Sequence, residues 1–169
     1  MPWITNVSYK DIELGDYPDA DVLIQIVCPS MEFPLPKRPV AEIQQFHFLD
    51  LERNELPELE DAKITDIQAA NIILVLQRAL EGNKNVLVHC VAGVRRSGAV
   101  VDVGVTMGFE DTDAYRSPNL LVKHKLLKAF GMEYDLDEPF YIVYNQERKV
   151  PIIFGEGVVV KSHIRKLHD

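Results

Sequence analysis

At 169 residues the chain is long enough for one domain with a substantial core. Its apolar content of 47% is ordinary for a globular protein, and a net charge of −8 argues against a broad basic surface for nucleic acid or anionic membrane. Two cysteines are too few for a disulfide scaffold, no apolar run reaches membrane-spanning length, and Met1-Pro2-Trp3-Ile4 does not begin a signal peptide, so a soluble cytoplasmic protein is expected.

Residues 1–20 read as short strand pieces and turns. Asp21 to Cys28 thickens into an apolar strand that Pro29 ends, and four prolines make 29–40 a loop. Gln45 to Leu49 alternates as a second short strand, with His47 given no chemical role. Residues 50–63 are polar and acidic, a solvated surface loop. The apolar spacing of residues 64–82 predicts a helix, capped at Thr65-Asp66 and closed by Gly82. Asn83 to Asn85 turn the chain into the β-branched strand Val86 to Val88.

A tight loop and a second apolar helix, ending near Met107 and Gly108, follow that strand. Asp111 to Arg116 reads as a short helix. Another helix begins at Ser117-Pro118-Asn119, with Pro118 in its first turn, and runs to Phe130 and Gly131. An acidic connector, 132–139, leads to two strands, Phe140 to Tyr144 and Val150 to Val160, expected to fold back on the domain as a hairpin. Alternating strands and helices indicate an α/β layered architecture.

The chemistry concentrates in His89-Cys90-x5-Arg96-Ser97. A loop between a strand and a helix N-terminus gathers backbone N–H groups and the positive end of the helix dipole, so it attracts an anion. A cysteine at its base becomes a stabilised thiolate, with a pKa below the free value of about 8.5. Gly93 allows the sharp turn. Arg96 is spaced to return over the loop as a bidentate fork for a phosphoryl group. Ser97 can donate a hydrogen bond to the sulfur when it must leave.

The string His-Cys-x-Ala-Gly-x-x-Arg-Ser resembles the active-site loop of the cysteine-dependent protein tyrosine phosphatases, most of all the small dual-specificity branch. The resemblance covers about residues 4–131 and implies a catalytic domain over 1–131, with 132–169 as an extension packed on it. The implied fold is a central mixed, largely parallel sheet flanked by helices. The implied activity is hydrolysis of phosphotyrosine, and of phosphoserine or phosphothreonine if the cleft is shallow, on phosphorylated proteins and without metal or cofactor.

In that resemblance Cys90 is the nucleophile, and Arg96 with Val91, Ala92, Gly93, Val94 and Arg95 binds the phosphoryl oxygens. His89 and Ser97 complete the catalytic set. The family's general acid is an aspartate about thirty residues before the cysteine. Asp50 keeps its position relative to the strand and is favoured. Glu58 keeps the spacing to Cys90, and Glu52, Glu55, Glu60 and Asp61 stay open.

Pro118-Asn119-x-x-Val122-x-x-Lys125-Leu126 is similar to a helix start whose asparagine braces the phosphate loop, with Val122 and Lys125 as departures. Asn119 is therefore either that brace or a plain helix cap. Arg95 stands where the family more often has a small residue. Cys28 is either a small buried hydrophobe ending its strand or, as in some members that protect the nucleophile with a second cysteine at a strand end, the partner of a reversible disulfide with Cys90. The alternatives are a phosphatase for a phosphoinositide, a nucleotide or an RNA 5′-phosphate, and a phosphate-binding interaction module without activity.

Overall fold

The computed structural model describes residues 1–52, 57–131, 141–145 and 150–154. Five strands, β1 (Trp3–Ser8), β2 (Val22–Val27), β3 (Glu42–His47), β4 (Val86–Cys90) and β5 (Glu110–Asp111), form one sheet in the order β3-β2-β4-β1-β5. Every neighbouring pair is parallel. β2 and β4 are buried along their whole length. Their near-continuous apolar sequences, VLIQIV and VLVHC, are what a strand covered on both faces requires.

Alternate residues divide the core between the two faces. Ile4, Val22, Ile24, Ile26, Val86, Val88 and Cys90 join the cluster filled by helices α2 (Asp66–Glu81), α3 (Arg96–Met107) and α4 (Leu120–Ala129). On the other face Leu23 and Leu87 pack with Tyr17 and with Ile12 of the short helix α1 (Tyr9–Leu14). Because the strands are parallel, the segments after β1, β2, β3 and β4 emerge at one edge, the usual location of ligand sites in such sheets.

Several elements differ from the sequence reading. The N-terminal twenty residues contain α1, where only strand pieces and turns were expected. Ser8 and Asp11 cap it reciprocally, and Gly15 closes it in the left-handed conformation at φ 78°. β3 lies three residues earlier than its alternating pattern suggested, so Asp50 follows it at a distance of three residues rather than directly. The acidic segment after it is not all loop, since Pro57–Ala62 forms a 3-10 helix.

Asp111 to Arg116 is not a helix. Asp111 ends β5, and its carboxylate accepts from the Asp113 N–H at 2.9 Å and binds Arg116, holding an extended turn with Asp113 at φ 61°. α4 begins two residues later than expected. Asn119 is its N-cap, so Pro118 precedes the helix instead of occupying its first turn.

α2 matches its reading, with Thr65 and Gln68 forming a capping box. The C-terminal hairpin forms as an antiparallel pair, β6 (Tyr141–Asn145) with β7 (Val150–Phe154). The acidic connector, the strand residues after Phe154 and the packing of the extension on the domain fall outside the described residues.

Candidate active site

β4 runs buried into Cys90, and α3 starts at Arg96, leaving Val91 to Arg95 to reverse the chain. Gly93 has φ 76°, and a Cβ there would lie 2.5 Å from the backbone of Val7 and Ser8, so glycine is required on two counts. The loop carbonyls are tied outward. Asn6 Nδ2 donates to Gly93 O at 2.7 Å, Tyr9 N to Val91 O at 3.1 Å, Ser117 N to Val94 O at 3.1 Å and Asn119 N to Arg95 O at 2.9 Å. A planar trans peptide directs its N–H opposite its carbonyl, so these four bonds turn the following amides toward the inside of the loop. Gly98 keeps the first turn of α3 close to its outer neighbour: a Cβ there would meet that of Arg116 at 3.0 Å.

Helix capping marks the same spot. α1, α2 and α4 each have a side chain on their first amides, whereas α3 has none. Its uncapped N–H groups and its dipole face the Cys90 sulfur.

Cys90 is 2% exposed. Burial alone pushes its thiol up. The Ser97 hydroxyl at 3.2 Å, the Ser97 N–H, the charge of Arg96 and the Gly93 N–H at 3.2 Å together outweigh that and hold its pKa below the ordinary thiol value. His89, fully buried one residue earlier, is pushed down to about 4 by burial and by Arg96, against a hydrogen bond of Nδ1 with Cys90 O at 3.1 Å. Its ring meets Tyr9 edge-on at 6.0 Å. At neutral pH His89 is therefore uncharged, a buried support beneath the loop.

Arg96 is 5% exposed, with Nη1 donating to Phe48 O at 2.9 Å and approaching the Cys28 sulfur at 3.5 Å. Its Nε is buried without a hydrogen-bond partner among the described residues. A buried guanidinium N–H with no acceptor is costly, and an oxyanion is the acceptor best suited to it.

The acidic segment meets the loop through a closed ring of polar contacts. Arg95 Nε donates to Asp50 Oδ2 at 3.0 Å, and Asn119 Nδ2 donates to Asp50 Oδ1 at 2.6 Å and to Leu51 O at 3.1 Å. Arg95 also pairs with Glu52, whose Oε1 accepts from Leu120 N at 3.3 Å. Glu52 and Asp50 hold the Arg95 guanidinium charged against its partial burial, its pKa raised above the usual value. Asn119 is the helix cap, and its side-chain amide reaches the acidic segment while only its backbone N–H meets the loop. Its Oδ1 caps Val122 N at 3.0 Å, and its Nδ2 holds the acidic segment.

The structure thus brings Cys90, Arg96, Ser97, His89, Asp50, Arg95 and Asn119 to one edge of the sheet. Glu58 and Asp61 are exposed on the 3-10 helix, and Glu55 lies outside the described residues. Asn6 and Tyr9 escaped the sequence reading. The only signal for Asn6 was a polar residue inside a strand core, and it is 7% exposed. Among the described residues no group of three His, Cys, Asp or Glu side chains could hold a metal ion, and no helix is long and apolar enough to cross a membrane.

Neither a family model nor a curated protein matches the sequence. Among solved structures the chain is similar to OH1 from the Orf virus, described as a tyrosine phosphatase with triple substrate specificity, at 16% identity and a TM-score of 0.47 over 77% of this chain and 83% of that one. It is also similar to a mouse putative dual specificity phosphatase complexed with zinc tungstate, at 18% identity and a TM-score of 0.42 over 65% and 70% of the two chains. The likeness is to tyrosine and dual-specificity phosphatases.

Proposed function

We propose that the chain is a phosphatase that hydrolyses phosphomonoesters on proteins, phosphotyrosine first among them, through a phosphocysteine intermediate. One arrangement carries this reading: a buried thiol held below its ordinary pKa by the Ser97 hydroxyl and the Ser97 and Gly93 N–H groups, beside a buried arginine N–H with no acceptor among the described residues. Few ligands other than a tetrahedral oxyanion match that set of donors.

In this mechanism the Cys90 thiolate attacks phosphorus as the phosphorus–oxygen bond to the substrate breaks. Arg96 and the loop amides take the charge on the equatorial oxygens. Asp50, in its protonated form, gives its proton to the departing oxygen. The resulting carboxylate then removes a proton from water, whose oxygen attacks the phosphocysteine and releases phosphate. Ser97 donates to the sulfur as it departs. His89 stays neutral and fixes the strand end.

Arg95 could have favoured a polyanionic substrate, as a cation beside the loop. It is engaged by Asp50 and Glu52, so the rim offers little spare positive charge to a phosphoinositide or an RNA end.

Hydrolysis of p-nitrophenyl phosphate, inhibited by vanadate, is expected for the wild type, with turnover abolished in Cys90→Ser while vanadate or phosphopeptide binding persists. A hydroxyl has no low-pKa anion in this setting, yet the donors remain. Absence of hydrolysis by the wild type, or activity near wild type in Cys90→Ser, overturns the proposal.

A further inference from the structure

Arg95 sits inside the phosphate-binding sequence, yet its side chain faces away from the role its position suggests. It reaches two carboxylates on another segment, Asp50 through Nε at 3.0 Å and Glu52 through its terminal nitrogen. Its own carbonyl accepts from Asn119 N, and Asn119 Nδ2 grips the other Asp50 oxygen at 2.6 Å. Three residues from three elements therefore close on one another: the nucleophile loop, the segment after β3 and the cap of α4. These contacts fix residues 50–52 within reach of the loop.

We infer that Arg95 is a positioning residue that latches the Asp50–Glu52 segment onto the phosphate-binding loop and so fixes where the Asp50 carboxyl stands relative to Cys90. This rests on the phosphatase reading above. A planar guanidinium can hold both carboxylates from one position, which an ammonium cannot do. A general acid gains its rate advantage only within hydrogen-bond reach of the leaving oxygen, so a displacement of about 1 Å can lower the rate by about 10²-fold. The arrangement also gives a physical reason for an arginine where a small residue would suffice to bind phosphate: its contacts are with the acid and not with the substrate.

The test is a double-mutant cycle of Arg95→Met and Asp50→Asn, read with two aryl phosphates, one with a good leaving group and one with a poor one. The poor leaving group needs the proton and the good one does not. Arg95→Met is expected to lower kcat about tenfold or more on the poor substrate and little on the good one, with KM changed little on either. In the Asp50→Asn background the same substitution is expected to leave the ratio of the two rates unchanged, because there is no proton donor left to position. Arg95→Lys should recover only part of the loss.

Equal losses on both substrates, or the same loss with and without Asp50, overturn the latch. So does a faster reaction of Arg95→Met on the poor substrate, which would make the ring an inhibitory lock. A wild type that hydrolyses neither substrate fails the phosphatase reading itself, so the two failures are distinguishable. Circular dichroism and melting of each variant separate loss of positioning from loss of fold.

Discussion

The two sides of the site are held by different physics. The floor, from Cys90 to Ser97, is fixed by backbone: outward-tied carbonyls, a glycine against which a Cβ would collide, and buried Arg96, Ser97 and His89. The rim, Asp50 to Glu52, is fixed by side chains that are about a third exposed, through ion pairs and an asparagine. Exposed ion pairs contribute only about 0.2–1 kcal/mol each. A thiolate and its oxyanion donors must be in position before substrate arrives, so a rigid floor suits them. The proton donor depends on a few side-chain contacts for its place, so single substitutions at the rim can displace it.

The comparison is broken most severely at the floor. Arg96→Ala is expected to lower kcat by about 10²–10³ on every substrate, since it removes a donor to the transition-state oxyanion. Arg96→Lys should be nearly as slow, because a point charge does not replace the fork. Steady-state rates on good and poor leaving groups check this, and a loss confined to poor leaving groups would assign Arg96 to the rim.

At the rim, Asp50→Ala is expected to slow poor leaving groups by about 10² and good ones little. Equal slowing of both would remove Asp50 as the acid and turn attention to Glu52, Glu58 and Asp61.

A thermodynamic measurement sharpens the contrast. His89 titrates at about 4 in the folded chain against 6.5 when unfolded. The unfolded state therefore binds more protons between those values, and stability is full above pH 6.5 and falls as pH drops toward 4, by up to about 3 kcal/mol. Urea midpoints across that window should decline in the wild type and decline less in His89→Gln. The ion-paired Asp66 and Asp111, with carboxyls held below their usual range by Lys125 and Arg116, act at lower pH. A window that is unchanged in the variant would mean His89 is not the buried neutral group described.

The smallest expected effect concerns Cys28, whose sulfur touches the same arginine nitrogen that meets Phe48 O. Peroxide would convert the Cys90 thiolate to a sulfenic acid, and attack by the Cys28 thiol would give a disulfide and water. Reductant should then restore activity in wild type and less in Cys28→Ser. Equal recovery in both would dismiss the safeguard.

Legibility followed the same division. The floor is written in thirteen consecutive residues, Val86 to Gly98, and their reading as strand, tight loop and helix start matches β4, the loop and the start of α3, while the side chain of Arg95 turns to the rim. β2 and β4 were legible because double-sided burial leaves an apolar run. The rim was not. Asp50 meets Arg95 and Asn119 across 45 and 69 residues, and local pattern carries no record of such pairings. Asn6 meets Gly93 across 87 residues for the same reason. The short helix expected at Asp111 to Arg116 failed because the Asp111 carboxylate binds the Asp113 N–H and Arg116, which holds the chain in a turn.

The position of β1 in the sheet has a consequence for how the molecule is made. β1 is paired between β4 and β5, its Trp3 N–H bonded to Asn85 and its Pro2 carbonyl to Glu110 N. It can have neither partner until residues 86–90 and 110–111 have been synthesised. The sheet therefore closes late, through contacts of long sequence separation, a topology associated with slow folding. Asn6 rides on that strand and holds the Gly93 carbonyl. The anion-binding loop thus acquires its shape only when β1 joins strands that lie more than 75 residues further along the chain, and a partly assembled molecule would have its cysteine without its cradle.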